Sequence, residues 1–174
     1  LKQVPHVDGD KMPVIMSGAY FTFIIQHFIA DVYCNGVSLL NGKLKTKVFH
    51  DKFSALINLD PEKRIGIEFF DTEGVAFDDY KSYIVKNGVM EKLFTTKFTA
   101  QKYGVENLGS AYADYADAPG LSGRGFAIER TAENLEDILK GREAIFLDVS
   151  SGGDMTPDGN MSLPSQLSFL YRDG

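Results

Sequence analysis

The chain has 174 residues, of which 44% are hydrophobic and 24% charged, and its formal net charge is −6 at pH 7. This length and composition predict one globular domain over residues 1–174. The negative charge and the scattered lysines exclude a nucleic-acid partner held through phosphate contacts. A single cysteine, Cys34, allows no internal disulfide, and no signal-peptide pattern is visible, so a cytoplasmic location is expected.

The first part of the chain predicts a strand followed by a buried helix. Pro13–Met16 is a short apolar run typical of a strand, and Ser17 is a good helix N-cap. Gly18–Tyr33 is apolar almost all round and ends at Asn35-Gly36, a typical C-cap pair. Its length of about 16 residues is short for a membrane span, which needs about 20, so we expect neighbouring elements to bury it. Its β-branched and aromatic content leaves a strand open for part of it.

A hairpin at Asn87-Gly88 is the strongest local prediction. Tyr80–Lys86 and Val89–Thr96 are β-favouring runs separated only by these two residues, and a type I′ turn needs φ > 0 at both. The resulting register sets Val85 opposite Met90. Apolar side chains on both faces of the pair predict a sheet that is covered on two sides.

The other elements are further strands and one more helix. Val37–Val48 is interrupted by Asn41-Gly42, which predicts a bend. Thr131–Lys140 predicts an amphipathic helix with a Thr cap and Gly141 behind it. The remaining strand candidates are Phe53–Leu59, Gly125–Arg130, Glu143–Val149 and Leu167–Tyr171. Strands outnumber helices, so the predicted class is α+β, with a mostly antiparallel sheet, two main helices and the central hairpin.

The three histidines, His6, His27 and His50, form no helical zinc motif. None lies four residues from another and none precedes Glu, so neither HExxH nor HExxxH is present. His27 and Asp31 are four residues apart and would share a helix face, although a histidine with satisfied hydrogen bonds in the core or at its edge is the favoured interpretation. Cys34 lies near the helix C-terminus, where the dipole raises a thiol pKa and disfavours a nucleophile.

Asp71, Glu73 and Gly74 form a short acidic motif. In an extended segment two carboxylates two residues apart point to the same side, where they can share a proton or hold a metal. The favoured alternative is that both accept hydrogen bonds from backbone donors of a turn that Gly74 permits. The sequence contains no complete catalytic constellation and no phosphate-binding glycine loop.

These motifs carry a family resemblance. Asp71-Thr-Glu-Gly-Val75, the turn at Asn87-Gly88 and Lys102-Tyr-Gly104 together resemble the C-terminal domain of the TldD/PmbA family, also called TldD/TldE and formerly "modulator of DNA gyrase". Looser similarities, in the same order as in the family, are Met16–Gly18, Ser38–Leu44, Ile57–Pro61, Leu135–Leu139 and Val149–Gly159. The resemblance spans nearly the whole chain, and it implies a metallopeptidase-related protein of peptide maturation or proteolysis.

The departures from the family pattern decide what the resemblance implies about chemistry. In a TldD-type subunit the first helix carries HExxxH, with two zinc-binding histidines and the catalytic Glu, and a Cys near the C-terminus completes the metal site. Here residues 25–31 read IQHFIAD, and Met161–Phe169 contains no Cys. The PmbA/TldE branch also lacks these ligands, so the chain resembles that branch more closely. The resemblance therefore implies a non-catalytic, structural or regulatory component that holds no cofactor, with zinc only in a TldD-like partner subunit.

The expected partner is a TldD-like peptidase subunit or a second copy of the chain, and unfolded peptide would be reached through that partner. The alternative is a peptidase in its own right, with an unrecognised site among Asp71, Glu73, His27 and Asp31. The family's long N-terminal domain has no counterpart in this sequence, which is consistent with a C-terminal piece. The segment Ala113–Gly123 matches the family poorly and receives no role.

Overall fold

The computed structural model describes residues 11–63, 68–131, 133–156 and 159–172, so His6 lies outside the described residues. The chain divides into two compact units, residues 1–24 with 132–174, and residues 25–131. Both contain helices and strands, which confirms the α+β class, whereas the single domain over residues 1–174 stays a prediction. In the described ranges no helix is long and apolar enough to cross a membrane.

The elements are short. The α-helices are α1 (Phe21–Ile25), α2 (Ala30–Cys34), α3 (Lys97–Tyr103) and α4 (Leu135–Leu139). The strands are β1 (Val14–Met16), β2 (Ala55–Asn58), β3 (Lys81–Lys86), β4 (Val89–Met90), β5 (Ala111–Tyr112), β6 (Gly120–Leu121), β7 (Phe126–Ile128), β8 (Ala144–Ser150), β9 (Asp154–Met155), β10 (Met161–Ser162) and β11 (Ser165–Tyr171).

The first unit is built on a three-stranded sheet. Its order is β1-β8-β11, with β1 parallel and β11 antiparallel to β8. The link between β8 and β11 contains an antiparallel pair, β9 and β10. The helix predicted over Thr131–Lys140 is shorter than expected, because Asn134 takes the extended N-cap conformation. Glu136 and Asp137 then occupy the first turn, where the helix dipole favours acidic groups.

The second unit is built on a four-stranded antiparallel sheet in the order β4-β3-β2-β7. Asn87 and Gly88 have φ of 50° and 80°, and Val85 pairs with Met90. Its largest fully buried side chains are Phe28, Ile57, Ile84, Met90, Leu93, Leu108, Val85 and Thr95. These residues come from all parts of the unit, so one core supports every element near the candidate site.

The second hairpin strand is shorter than predicted. Pairing stops at Met90, because the N–H groups of Glu91 and Lys92 both donate to the Ile84 carbonyl, at 2.8 and 3.3 Å. The predicted strand Val89–Thr96 is therefore wrong beyond Met90. Its last residue is instead the N-cap of a helix that the prediction missed.

That helix, α3, has strong local signals. Thr96 and Thr99 form a reciprocal capping box, in which each side chain accepts a hydrogen bond from the other's backbone N–H. Gly104 ends the helix in the left-handed conformation, with φ of 64°. Thr99 and Ala100 bury one face of α3 against the unit. Capping and burial together explain why this seven-residue segment is helical.

The predicted single helix over Gly18–Tyr33 is wrong. It consists of a 3₁₀ turn, α1, a second 3₁₀ turn (Gln26–Phe28) and α2, with Ile29 extended between the last two at φ −68° and ψ 128°. The cause is Phe94, whose N–H donates to the Phe28 carbonyl (2.8 Å) and whose carbonyl accepts from the Ala30 N–H (3.1 Å). Pairing with Phe94 replaces the helical hydrogen bonds at this point.

Both ends of that region are also defined by the structure. Asn35 is the C-cap of α2 and Gly36 follows with φ of 77°, which confirms the predicted stop. The Ser17 hydroxyl donates to the Asp148 carbonyl on β8 at 3.4 Å, and the Ser17 carbonyl accepts from the Tyr20 N–H at 3.1 Å. The bend predicted at Asn41-Gly42 is present as a series of turns, with Gly42 at φ of 73°.

Candidate functional site

His27 is held by the loop that follows α2. Its Nδ1 accepts a hydrogen bond from the Leu39 N–H at 3.3 Å, and its carbonyl accepts one from the Ser38 hydroxyl at 2.7 Å. Partial burial lowers the pKa of the imidazole, because desolvation disfavours its charged form. The ring nitrogen that accepts from Leu39 is therefore engaged in holding the loop.

Asp31 belongs to a separate cluster with α3. Its Oδ1 accepts hydrogen bonds from the Tyr103 hydroxyl and from the Lys102 ammonium, the latter at 3.0 Å. The Tyr103 hydrogen bond and then Lys102 lower the pKa of this carboxyl. Burial and the nearby Asp31 charge raise the pKa of the exposed Cys34 thiol, which disfavours a reactive thiolate.

His27 and Asp31 do not share one helix face. The extended Ile29 lies between them, so the four-residue spacing no longer corresponds to one helical turn. Each side chain bonds to a different segment, His27 to the loop at Leu39 and Asp31 to α3. Sequence reasoning missed Tyr103 and Lys102 as partners because the pattern did not predict α3.

Asp71 is the centre of a tight turn. It is 5% exposed, and its Oδ1 accepts from the N–H groups of Glu73 (3.0 Å) and Val75 (2.8 Å). Its Oδ2 accepts from the Ala111 N–H at 3.1 Å, which ties the turn to β5. Gly74 has φ of 73° and donates its N–H to the Asp71 carbonyl. This is the backbone-donor arrangement that the turn interpretation of the acidic motif describes.

Glu73 bonds to the N-terminus of α3. Its Oε2 accepts from the Lys97 N–H at 2.7 Å, and its carbonyl accepts from the Lys97 ammonium. A carboxylate at this position satisfies one of the helix's free N–H groups and interacts favourably with the helix dipole. The two carboxylates of the motif therefore engage different elements, Asp71 the strand β5 and Glu73 the helix α3.

Asn107 and Gly109, in the segment before β5, lie close to the residues that follow the turn at Asp71. Asn107 Oδ1 accepts from the Thr95 hydroxyl and from the Gly109 N–H, both at 3.0 Å. Gly109 has φ of 70°, and a Cβ there would lie 2.6 Å from the Phe77 ring. This close approach requires glycine, because the chain passes directly against the residues that follow the acidic motif.

The described residues do not fit a catalytic zinc ion. Such an ion needs three protein ligands and an open position. In residues 11–63, 68–131, 133–156 and 159–172, no three His, Cys, Asp or Glu side chains lie close enough to hold a metal. His27, Asp31 and Asp71 each bond to a different part of the second unit. The geometry at these positions is that of hydrogen-bonded anchoring.

Residues 9–174 match the PmbA/TldA metallopeptidase C-terminal domain. The chain therefore belongs to this family.

Two archaeal proteins are similar in sequence. A metalloprotease of Methanothermobacter thermautotrophicus is 27% identical over 147 residues, which are 83% of this chain and 32% of that protein. An uncharacterised protein of Methanocaldococcus jannaschii is 24% identical over 139 residues, 79% of this chain and 32% of that protein. The chain thus spans about a third of the length of the curated relatives it matches.

Solved structures share the fold. TldE from Thermococcus kodakarensis superposes with a TM-score of 0.71 at 22% identity, covering 93% of this chain and 38% of that one. A proposed modulator of DNA gyrase from Bacteroides thetaiotaomicron gives a TM-score of 0.64 at 19% identity, covering 95% of this chain and 40% of that one. At these identities the similarity concerns the fold alone.

Proposed function

We propose that the chain is a PmbA/TldE-like, non-catalytic component of a TldD/TldE-type zinc peptidase that acts in peptide maturation or proteolysis. The observation that carries this proposal is the separation of His27 from Asp31 by the extended Ile29. His27 is bonded to the loop at Leu39 and Asp31 to Lys102 on α3. The segment that would carry HExxxH in a TldD-type subunit therefore connects other parts of the unit here by hydrogen bonds.

The acidic turn supports the same role. Asp71 and Glu73 accept four hydrogen bonds from backbone N–H groups, those of Glu73, Val75, Ala111 and Lys97. Carboxylates used in this way hold the turn against β5 and against the N-terminus of α3. We infer that the motif organises a rigid surface, as a structural or regulatory subunit requires.

The proposed partner is a TldD-like subunit, which would hold the zinc and cleave the unfolded peptide. The fold shared with TldE from Thermococcus kodakarensis supports this assignment. A second copy of the chain is the other partner that our sequence reasoning allows. A stable association would bury at least about 1,000 Å² of total surface.

Light scattering and a cleavage assay on the full-length protein, with and without the TldD-like subunit of the same organism, test the proposal. We expect a complex of the two subunits, with chelator-sensitive cleavage of an unfolded peptide only when the TldD-like subunit is present. Adding His27→Ala in this chain should leave cleavage by the complex unchanged within about twofold, because His27 holds a loop. Chelator-sensitive cleavage by this chain alone, lost in His27→Ala, would establish a peptidase in its own right.

A further inference from the structure

One face of the four-stranded sheet carries a groove of about 500 Å³ that crosses β3, β2 and β7. Leu56 lies opposite Ala127 on β7, and Asn58 lies opposite Lys81 on β3, so these four side chains stand on the same face. Arg130, just after β7, forms one wall. We call this feature the sheet groove.

A second cavity of about 360 Å³ adjoins the sheet groove and shares Lys81 with it. The cationic side chains that line the two cavities are Lys81, Lys86, Lys92 and Arg130. The acidic ones are Glu91 and Glu129. This local excess of positive charge contrasts with the formal charge of −6 on the whole chain.

Neighbouring protein groups already engage the two carboxylates. Glu129 accepts a hydrogen bond from the Tyr83 hydroxyl at 2.7 Å, and this bond raises the pKa of Tyr83. Glu91 pairs with Lys45 outside the cavities, at 3.0 Å. Lys92 is neutralised by Glu106 at 2.6 Å. The Tyr83 hydroxyl leaves Glu129 negatively charged, and Asp60 interacts electrostatically with Lys81. The remaining three cations, Lys81, Lys86 and Arg130, still outnumber the one unpaired carboxylate, Glu129, that lines the cavities.

The positions of these three cations suit an extended ligand. Lys86 lies over the Tyr83 ring, 4.9 Å from its centroid, at the opposite end of β3 from the shared residue Lys81. Arg130 stands on the far side of β2, and because neighbouring strands are about 4.8 Å apart, two strand spacings, about 10 Å, separate β3 from β7. That distance equals roughly three residues of extended peptide, so one small anion would contact one side only.

We propose that the sheet groove binds an acidic peptide segment. Its carboxylates would pair with Lys81 and Arg130, and an apolar side chain between them would lie over the half-buried Ala127, which stands on the same face as Asn58 and Lys81. Charge complementarity identifies this occupant, because a locally positive surface on a chain with a net charge of −6 attracts negatively charged segments. The site needs no zinc, so it goes beyond the proposed function and can be tested separately from it.

The test is fluorescence anisotropy of a fluorescein-labelled Glu-Leu-Glu-Leu-Glu-Leu peptide with the full chain. The matched probe is Gln-Leu-Gln-Leu-Gln-Leu. We expect the acidic probe to bind more tightly than the neutral one, and its affinity to fall when salt is raised from about 0.05 to about 0.5 M, since added ions screen exposed charges. Equal binding of the two probes, or no binding of the acidic probe, would overturn the proposal.

Two double variants locate the site. Lys81→Gln with Arg130→Gln should weaken binding of the acidic probe at least about tenfold, the loss expected when two charge-assisted contacts disappear. Lys11→Gln with Lys43→Gln removes the same charge from exposed positions outside the groove and should change affinity less than about twofold. Equal losses in both would show general electrostatic attraction and contradict the proposal. Lys81→Arg with Arg130→Lys should retain binding, and thermal melts of every variant verify that it is folded.

Discussion

Phe94 pairs with Ile29 as an isolated parallel bridge, and this pairing divides one predicted helix into two. The Phe28 carbonyl and the Ala30 N–H both bond to the Phe94 backbone, and Ile29 is extended between them. As a result His27 faces the loop at Leu39, and Asp31 faces α3. The break explains, in backbone terms, why these two residues do not act as a pair.

The first prediction concerns pH and Asp31. Because Tyr103 and Lys102 lower its folded-state pKa below the unfolded value of about 4, its contribution to stability is present above that pH and is lost as pH falls through the folded pKa. Its side chain is 44% exposed, so Asp31→Asn should cost at most about 1 kcal/mol at pH 7. The difference from the parent in thermal unfolding should disappear near pH 2.

Asp117→Asn serves as the control for this change, since Asp117 is exposed and the substitution removes the same charge. If the difference in thermal stability between Asp31→Asn and the parent grows as the pH falls, the predicted direction of the Asp31 pKa shift is wrong.

The second prediction concerns the acidic turn. Asp71→Asn replaces a buried carboxylate that accepts three backbone N–H groups by an amide whose NH₂ would face one of those donors. We expect a loss of about 2–3 kcal/mol in the free energy of unfolding, measured by urea denaturation. Glu73→Gln is the control, because its amide oxygen still accepts from Lys97, and it should cost less than about 1 kcal/mol. Similar costs for both changes would contradict the anchoring role of Asp71.

The third prediction compares two turn glycines. Gly88 has φ of 80°, and a Cβ there would lie 2.4 Å from the Phe49 carbonyl oxygen. Gly42 has a similar φ of 73°, but a Cβ there would meet no atom within 4 Å. Gly42→Val should therefore cost about 1–2 kcal/mol for its backbone conformation alone, and Gly88→Val clearly more, because the backbone must also move. Equal melting temperatures for the two variants would mean that the approach to Phe49 is absent.

Local patterns predicted the local structure well. The turn residues Asn87 and Gly88, the stop at Asn35-Gly36 and the strand β2 depend on neighbours in sequence, and all are present. The break at Ile29 depends on Phe94, which lies 65 residues later in the sequence. No helical pattern within residues 18–33 could therefore reveal it.

The candidate site also combines contacts between sequence neighbours, which can be predicted, with contacts between distant segments, which cannot. The turn at Asp71 combines local bonds to Glu73 and Val75, which a motif can suggest, with a bond to Ala111 that only the fold provides. The cap residues Thr96 and Gly104 could have indicated the helix α3. The β-favouring run Val89–Thr96 favoured a strand instead, and the helix was therefore not predicted. Finding α3 would also have suggested partners for Asp31.

The zinc content of the purified protein tests most directly whether this chain is a non-catalytic component. The full-length protein, purified without chelators and without its partner, should contain far less than one zinc ion per chain by elemental analysis, and His27→Ala should leave that content unchanged, because His27 bonds to Leu39 and Ser38. One zinc per chain, lost in His27→Ala together with cleavage of an unfolded peptide, would contradict the account.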